Sequence, residues 1–236
     1  MKKFALALAL IFCGSIVHAQ TEKPLLLRQP TLSEKQIAFV YGDDIWTVGR
    51  EGGEAVRLTS GTGAKSNPRF SPDGSLIAFS AKYAGRTNVY VVPATGGNPR
   101  RVTFHAGPDI VAGWTNDGKS ILFASQRETM HHSVSRLYTV SVDGGFATPL
   151  PLPRAFEGSF SADGTHLAYR PVPLPWGTWS HYRGGTSAAV WIANLADSRL
   201  ERVPREDCST SIRCGWAMRF TFSPTATVRR LFSRTT

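Results

Sequence analysis

Short runs of alternating apolar and polar residues fill this chain, and one apolar triplet returns four times. The copies are Ile37-Ala38-Phe39, Ile77-Ala78-Phe79, Ile121-Leu122-Phe123 and Leu167-Ala168-Tyr169. They begin 40, 44 and 46 residues apart. Three copies follow a bulky residue and a Ser/Thr-x-Asp-Gly turn, and the first follows the degraded form Leu32-Ser33-Glu34-Lys35. Self-similarity at this period indicates an array of repeated supersecondary units.

Each triplet is followed by a second alternating run, a turn and a last short strand. The second runs are Ile45-Trp46-Thr47-Val48, Val89-Tyr90-Val91-Val92, Leu137-Tyr138-Thr139-Val140 and Val190-Trp191-Ile192-Ala193. Glycine pairs such as Gly96-Gly97 then mark hairpin turns, and no stretch has the pattern of a long amphipathic helix. Four short antiparallel strands in each unit of this length are typical of propeller blades.

The sequence therefore predicts an all-β fold, an incomplete β-propeller with about four four-stranded blades over residues 25–206. A closed ring of six or more blades would need roughly 250 residues or more at this period, so the length does not allow one. We expect Phe79, Phe123 and Tyr169 of the triplets to pack between neighbouring blades.

The Asp-Gly pairs have a local explanation. A tight turn needs a positive φ, which glycine adopts without steric cost, and aspartate bonds to its own backbone. We therefore interpret Asp73, Asp117 and Asp163 as turn residues. The alternative, a calcium loop, requires an Asp-x-Asp-x-Asp spacing that the chain lacks.

The first 19 residues have the pattern of a secretory signal peptide. Lys2 and Lys3 precede a short apolar run, and Val17-His18-Ala19 offers small residues for cleavage before Gln20. The run is too short for a membrane span, and Phe12 before Cys13 argues against a lipoprotein anchor. We expect an exported protein, periplasmic or extracellular.

Residues 207–236 break the rhythm, because from Cys208 onward there is no Asp or Glu and Ser, Thr and Arg are abundant. Such a shift is typical of a disordered tail. When the possible codons are read one frame over, however, they permit another copy of the repeat. We therefore expect an out-of-frame fifth blade, in a fragment of a longer protein. A genuine basic tail is the alternative.

The net charge of +10 does not predict nucleic-acid binding. Seven of these charges come from the signal peptide and the tail; they are Lys2, Lys3, Arg213, Arg219, Arg229, Arg230 and Arg234. The rest are scattered, whereas nucleic-acid binding needs a basic stripe. The three cysteines fall in the signal and the tail, so we expect neither a disulfide framework nor a thiolate metal site.

No catalytic, cofactor-binding or metal-binding constellation is visible. Gly184–Ala188 lacks the Gly-x-Ser-x-Gly spacing of a nucleophile elbow. His131 and His132 are adjacent, so on a strand they would point to opposite faces. Asp43-Asp44 precedes a strand and is interpreted as part of a turn. We expect no cofactor.

One segment interrupts the repeat. Residues 171–187 form an insertion in the fourth unit, and loops longer than about a dozen residues are uncommon unless functional. The insertion carries Trp176, Trp179, Tyr182 and Arg183. Aromatics with arginine are typical of interface anchors, so these four are candidates for contact with a partner or substrate. The alternative is that both tryptophans only order the loop.

The repeats resemble the WD40-like units of Tol-system propellers and of tricorn-type serine peptidases, over about residues 25–206. The stretch His181–Thr186 with Val190–Leu195 is similar to the amino-terminal propeller of bacterial tricorn homologues. That resemblance implies a six-bladed propeller at the front of a larger, homo-oligomeric peptidase. A second propeller, a PDZ-like domain and a serine catalytic core would follow.

The resemblance also implies a role. The propeller would guide or filter peptide or protein substrate and would itself lack the catalytic domain, with the remaining domains of the parent chain as its partners. None of the family's catalytic residues can be placed in this sequence. The alternative function is a stand-alone Tol-type periplasmic propeller that mediates protein–protein interaction.

Overall fold

The computed structural model describes residues 26–83, 85–129, 134–173 and 189–203. Within these ranges the chain forms sixteen β-strands in four four-stranded sheets. Sheet one contains β1 (Arg28–Leu32), β2 (Gln36–Tyr41), β3 (Asp44–Gly49) and β4 (Val56–Arg57). Sheet two contains β5 (Lys65–Phe70), β6 (Leu76–Ala81), β7 (Asn88–Pro93) and β8 (Arg100–Arg101). Sheet three contains β9 (Asp109–Trp114), β10 (Ser120–Ser125), β11 (Arg136–Ser141) and β12 (Thr148–Pro149). Sheet four contains β13 (Glu157–Phe160), β14 (His166–Arg170), β15 (Trp191–Asn194) and β16 (Leu200–Arg202).

Every sheet is an antiparallel meander in which neighbouring strands follow chain order. The first strands of consecutive sheets contact one another, so β1, β5, β9 and β13 lie side by side at the inner edge. The predicted four blades are thus confirmed. The described sheets form an open array and do not close on themselves.

The repeated triplets fill the junctions between sheets. Phe79 and Phe123 are fully buried, and Tyr169 is 4% exposed. Phe79 packs against Ala38 and Ile45 of sheet one, and the other two rings pack on the preceding sheet in the same way. The predicted packing between blades is confirmed.

The same face of sheet one has no preceding sheet among the described residues. Its Leu32 and Tyr41 are 43% and 38% exposed, whereas their counterparts in sheet two, Phe70 and Ala81, are 8% and 0% exposed. The first sheet therefore presents a partly solvated apolar face, as an open array requires.

The Ser/Thr-x-Asp-Gly turns have the expected local structure. Gly74, Gly118 and Gly164 have φ values of 73°, 68° and 73°. In the first of these turns, Ser71 Oγ donates to Asp73 Oδ1 at 2.6 Å, and Ser75 N donates to the same oxygen at 3.1 Å. The hydroxyl bonds of Ser71 and Ser75 lower the pKa of Asp73 to about 2. The carboxylates serve the turns, as predicted.

Two further structural findings bear on function. Among the described residues, no helix is long and apolar enough to cross a membrane. Within the same ranges, no group of three or more histidine, cysteine, aspartate or glutamate side chains is placed to hold a metal ion.

Candidate functional site on the linker face

The two ends of the sheets differ in what they carry. One end, the turn face, bears the Ser/Thr-x-Asp-Gly turns. The other, the linker face, bears the linkers between sheets (58–64, 102–108 and 150–156) and the loops between the second and third strands. Three backbone hydrogen bonds of 2.9–3.0 Å join a residue at or just after the end of each linker to one of these loops, one at each junction between sheets; they are Lys65 N to Asp43 O, Asp109 N to Thr87 O, and Ala155 N to Ser135 O.

At the first junction the linker face buries a charged cluster. The Lys65 side chain is 1% exposed, and its Nζ lies 2.9 Å from Asp44 Oδ1. Lys65 Nζ also donates to Gly61 O at 2.6 Å. Asp44 Oδ2 lies 2.6 Å from an Arg57 nitrogen, and Asp44 Oδ1 accepts a 3.0 Å bond from Thr59 Oγ1. Both carboxylate oxygens are satisfied, so this cluster joins sheets one and two rather than offering a reactive group.

Tyr83 covers this cluster from the loop after β6. Its ring centroid is 5.0 Å from Lys65 Nζ and 4.9 Å from the Tyr90 ring. The Tyr83 hydroxyl is buried and has no hydrogen-bond partner among the described residues. Burial, with smaller contributions from Asp44 and Tyr90, raises the pKa of Tyr83 to about 12. The phenol therefore stays neutral at physiological pH.

At the second junction the corresponding positions carry different charges. Asp109, fully buried, occupies the position of Lys65 and pairs with Arg127 of its own sheet, Oδ2 to Nη2 at 2.8 Å. Arg127 also lies 5.0 Å from the Phe123 ring centroid. Asp109 Oδ1 has no donor among the described residues.

An open depression lies beside the second junction. Its volume is about 430 Å³, and it is lined by Lys82, Gly85, Arg86, Thr87, Ala106 and Pro108. Arg86 Nη1 donates to Ala106 O at 2.7 Å, which fixes the guanidinium at the rim. Within the described ranges neither Lys82 nor Arg86 forms an ion pair. The lining of the depression therefore carries two cationic side chains with no carboxylate partner among the described residues.

At the inner edge, charged side chains lie on the first strands. Glu157 of β13 pairs with Arg170 of β14. Arg69 of β5 donates a hydrogen bond from Nε to Ala112 O at 3.2 Å. The carbonyl oxygen of Arg69 accepts a hydrogen bond from Trp114 Nε1 at 2.9 Å. Burial lowers the pKa of Arg69, and Glu157 raises it in part. The inner edge is therefore polar, with both signs of charge.

The turn face contains one contact between a hydroxyl and a histidine. Thr165 Oγ1 lies 2.7 Å from His166 Nδ1 and donates to Asp163 Oδ2 at 2.8 Å. In a catalytic triad the histidine lies between the carboxylate and the nucleophile. Here the hydroxyl bonds directly to the carboxylate, so the arrangement stabilises the turn and does not activate a nucleophile.

The four predicted contact residues, Trp176, Trp179, Tyr182 and Arg183, lie outside the described residues, as do His131 and His132. The insertion leaves β14 at Arg170 and returns at β15, which begins at Trp191. Both of these strand ends lie at the linker face. The assignment of the four residues as a contact site stays a prediction.

The buried role of Asp44 was missed by sequence reasoning, which took Asp43-Asp44 as a turn. Asp43 is indeed a turn residue, with φ of 63°. Asp44 begins β3 and is 6% exposed. Lys65 could have been flagged, because it stands five residues before Phe70, as Asp109 stands five before Trp114, and an inner-strand start is an enclosed position.

The model of the tricorn protease N-terminal beta propeller domain matches residues 24–233. This chain belongs to that family. The match extends past residue 207, and the predicted boundary there stays a prediction.

Two curated relatives illustrate the match. Tricorn protease homolog 1 of Streptomyces coelicolor is 32% identical over 191 residues, which cover 78% of this chain and 17% of the relative. The tricorn protease of Thermoplasma acidophilum is 32% identical over 180 residues, which cover 72% of this chain and 16% of the relative. The chain thus spans less than a fifth of the length of either.

Solved structures of propeller-containing proteins also match the fold of this chain. The crystal structure of the tricorn protease matches with a TM-score of 0.68 and 27% identity, covering 78% of this chain and 19% of that one. TolB from Acinetobacter baumannii matches with a TM-score of 0.60 and 23% identity, covering 75% and 43%. The second likeness is one of fold alone.

Proposed function

We propose that this chain is the propeller portion of an exported tricorn-like serine peptidase, where it guides or filters peptide substrate and contributes no catalytic residue. The observation that carries the proposal is the family match over residues 24–233, together with relatives named as tricorn proteases that are several times longer. Further domains, a homo-oligomeric parent and a peptide substrate are part of this proposal.

The linker face supports a contact role. Its three junctions are held by main-chain hydrogen bonds, and its loops extend beyond what the repeat needs. The loop after β2 is only Gly42-Asp43, whereas twenty residues separate the end of β14 from the start of β15. Binding residues concentrate in the segments that connect the elements of a rigid scaffold. The candidate residues Trp176, Trp179, Tyr182 and Arg183 fall within these twenty residues of the sequence.

The first experiment is to sequence genomic DNA and cDNA through and beyond codon 236. A serine peptidase domain in one of the three forward reading frames is the expected result. An open reading frame that ends after one more repeat, with no peptidase domain, would instead favour the Tol-type interaction propeller. A fluorophosphonate probe should label the longer protein at a serine and should leave the 236-residue chain unlabelled.

The second experiment tests the loop in the longer protein. Trp176→Ala with Trp179→Ala should lower peptide turnover or weaken domain assembly. The matched control is Phe146→Ala, which removes a fully exposed aromatic from a hairpin turn of sheet three. Equal turnover and assembly in all three proteins would show that the loop aromatics only pack locally.

Export is tested separately. Residues 1–25 fused to a periplasmic alkaline phosphatase reporter should direct secretion, and amino-terminal sequencing of the product should begin at Gln20. Retention of the reporter in the cytoplasm would contradict the proposed localisation without affecting the family assignment.

A further inference from the structure

The loop that lines the depression at the second junction is held in place by hydrogen bonds to both neighbouring linkers. Lys82 N donates to Ala64 O of the preceding linker at 3.1 Å. Arg86 Nη1 donates to Ala106 O of the following linker at 2.7 Å. The two cationic residues therefore line one depression from an anchored stretch of chain.

The repeat does not require either cation. In sheet one only Gly42-Asp43 separates β2 from β3, whereas in sheet two the six residues 82–87 separate β6 from β7. Lys82 and Arg86 belong to this longer loop, and both side chains are exposed. The longer loop thus adds two positive charges to the linker face.

The chain offers these cations few acidic partners. Among the described residues no carboxylate pairs with Lys82 or Arg86, and the neighbouring Asp109 is buried and pairs with Arg127. Residues 84 and 130–133, which adjoin this junction along the chain, include no Asp or Glu. Outside the described ranges the sequence has three carboxylate side chains, Glu22, Glu206 and Asp207.

An exposed aromatic ring stands beside the depression. Phe104 is 76% exposed, and Arg101 Cζ lies 4.6 Å from its ring centroid. Arg101 Nη2 donates to Asn88 Oδ1 at 2.7 Å, and Asn88 Nδ2 donates to His105 O at 3.2 Å. Because Asn88 and His105 each adjoin a lining residue along the chain, these bonds place Phe104 next to the depression.

The first linker has no aromatic at the corresponding position. Thr59 and Thr103 are equivalent, since each hydroxyl accepts a main-chain bond from the third strand of its sheet, so Ser60 corresponds to Phe104. A single exposed apolar side chain needs no explanation. An exposed ring beside an unpaired cationic depression, however, combines the two kinds of contact that anchor a partner.

From this geometry we propose that the depression and Phe104 bind an acidic segment of a peptide substrate. Its carboxylates would contact Lys82 and Arg86 through charge-assisted hydrogen bonds, and a neighbouring apolar side chain would pack on the Phe104 ring. A depression of about 430 Å³ has the size of a site for a short segment rather than for a folded domain. Calling the segment a substrate rests on the proposed function, whereas the site itself does not.

The first test measures the charged contact by calorimetry on the purified 236-residue chain. An acetylated, amidated Gly-Glu-Leu-Glu-Gly peptide should bind saturably, and its Gly-Gln-Leu-Gln-Gly counterpart should not. Lys82→Gln should weaken binding about threefold, the size of one exposed charge contact. Lys119→Gln, which removes another exposed lysine from a turn on the turn face, should leave binding unchanged. An equal loss in both variants would overturn the site, because the attraction would then come from net charge alone.

The second test measures the apolar contact. Replacing the leucine of the peptide by alanine should weaken binding to the wild type about fivefold and should make no difference to Phe104→Ala. Phe146→Ala, which removes a fully exposed ring from a hairpin turn of sheet three, should keep the preference for leucine. A preference for leucine that persists in Phe104→Ala would contradict the placement of the peptide.

Two further results would also overturn the proposal. They are the absence of saturable peptide binding to the folded chain, and inorganic phosphate binding as tightly as the peptide, which would indicate a general anion site. Neither result affects the genomic and probe tests of the peptidase. Conversely, specific peptide binding in a protein without a peptidase domain would support the site and contradict only the proposed function.

Discussion

The first and second junctions between sheets are held by equivalent hydrogen bonds of the main chain. In both, a linker threonine accepts a hydrogen bond from the second residue of the third strand. Ile45 N donates to Thr59 Oγ1 and Val89 N donates to Thr103 Oγ1, each at 3.0 Å. The repeat has therefore kept the contact that positions each linker.

The charges at the two junctions are unlike each other. Asp44 of the first becomes Asn88 in the second, and Lys65 becomes Asp109. The first junction has a buried ion pair between sheets, at 2.9 Å. In the second, Asn88 bonds to Arg101 and His105 O, while Asp109 pairs within its own sheet.

This difference indicates that blade packing depends on the apolar triplets and the main-chain bonds, and that the charged positions are free to diverge. A buried ion pair often contributes little net stability compared with an apolar pair, but breaking one partner is costly. The two junctions should therefore respond unequally to equivalent substitutions.

The largest expected effect is that of Asp44→Asn, which gives the first junction the side chain of the second. Lys65 would keep its charge in a site that is 1% exposed and would lose its partner. We expect the free energy of unfolding to fall by about 3–5 kcal/mol, measured by urea denaturation. Asn88→Ala is the comparison and should cost about 1 kcal/mol. Equal losses would show that the ion pair has no special role.

The next largest effect is expected for the two linker threonines that accept the shared main-chain hydrogen bond. Thr59→Val and Thr103→Val each leave one buried N–H without an acceptor, at a cost of about 1 kcal/mol. Thr59 also donates to Asp44 Oδ1, so we expect its replacement to cost about 2 kcal/mol. Paired urea melts of the two variants measure the difference. A larger loss for Thr103→Val would contradict the assignment of the extra bond.

A smaller effect is expected for Asp109→Asn. The amide oxygen can still accept from Arg127, whose side chain is 17% exposed and remains stacked on Phe123. We expect a loss of about 1 kcal/mol, because Arg127 keeps an acceptor and reaches solvent, so that no buried charge is left without a partner. A loss as large as that of Asp44→Asn would mean that the second junction also depends on its buried charge.

Much of the fold could be predicted from the sequence because the same apolar triplet and turn recur in successive units. The equivalent positions of Phe79 and Phe123 in the repeat predicted their burial between sheets, and the Asp-Gly turns predicted where β5, β9 and β13 end. Strand order followed from the short hairpin connections, since antiparallel neighbours need only tight turns.

The charged partners could not be predicted in the same way. The contact of Lys65 with Asp44 joins two sheets, and it depends on where the inner strand of one sheet meets the loop of another. Asp109 occupies the same sequence position with the opposite charge, so the repeat gives no rule for it. The contact site on the insertion depends on residues outside the described ranges and stays a prediction.

The smallest effect is expected for Tyr83→Phe, which acts on the first junction only. The variant keeps the ring over Lys65 and removes a buried hydroxyl that has no partner among the described residues. At neutral pH we expect stability to be unchanged or slightly higher, because no hydrogen bond is lost.

The dependence of the free energy of unfolding on pH above 10 provides the sharper measurement. The folded pKa of Tyr83 is raised from 10.0 to about 12, so the folded state holds the phenolic proton more tightly than the unfolded state. The resulting stability is fully present below pH 10 and is lost as the pH rises toward 12. Tyr83→Phe should remove that part of the pH dependence, whereas Tyr41→Phe, at a tyrosine that is 38% exposed, should not. Identical alkaline limbs for the wild type and Tyr83→Phe would mean that the hydroxyl is solvated, and the closed packing over Lys65 would then be wrong.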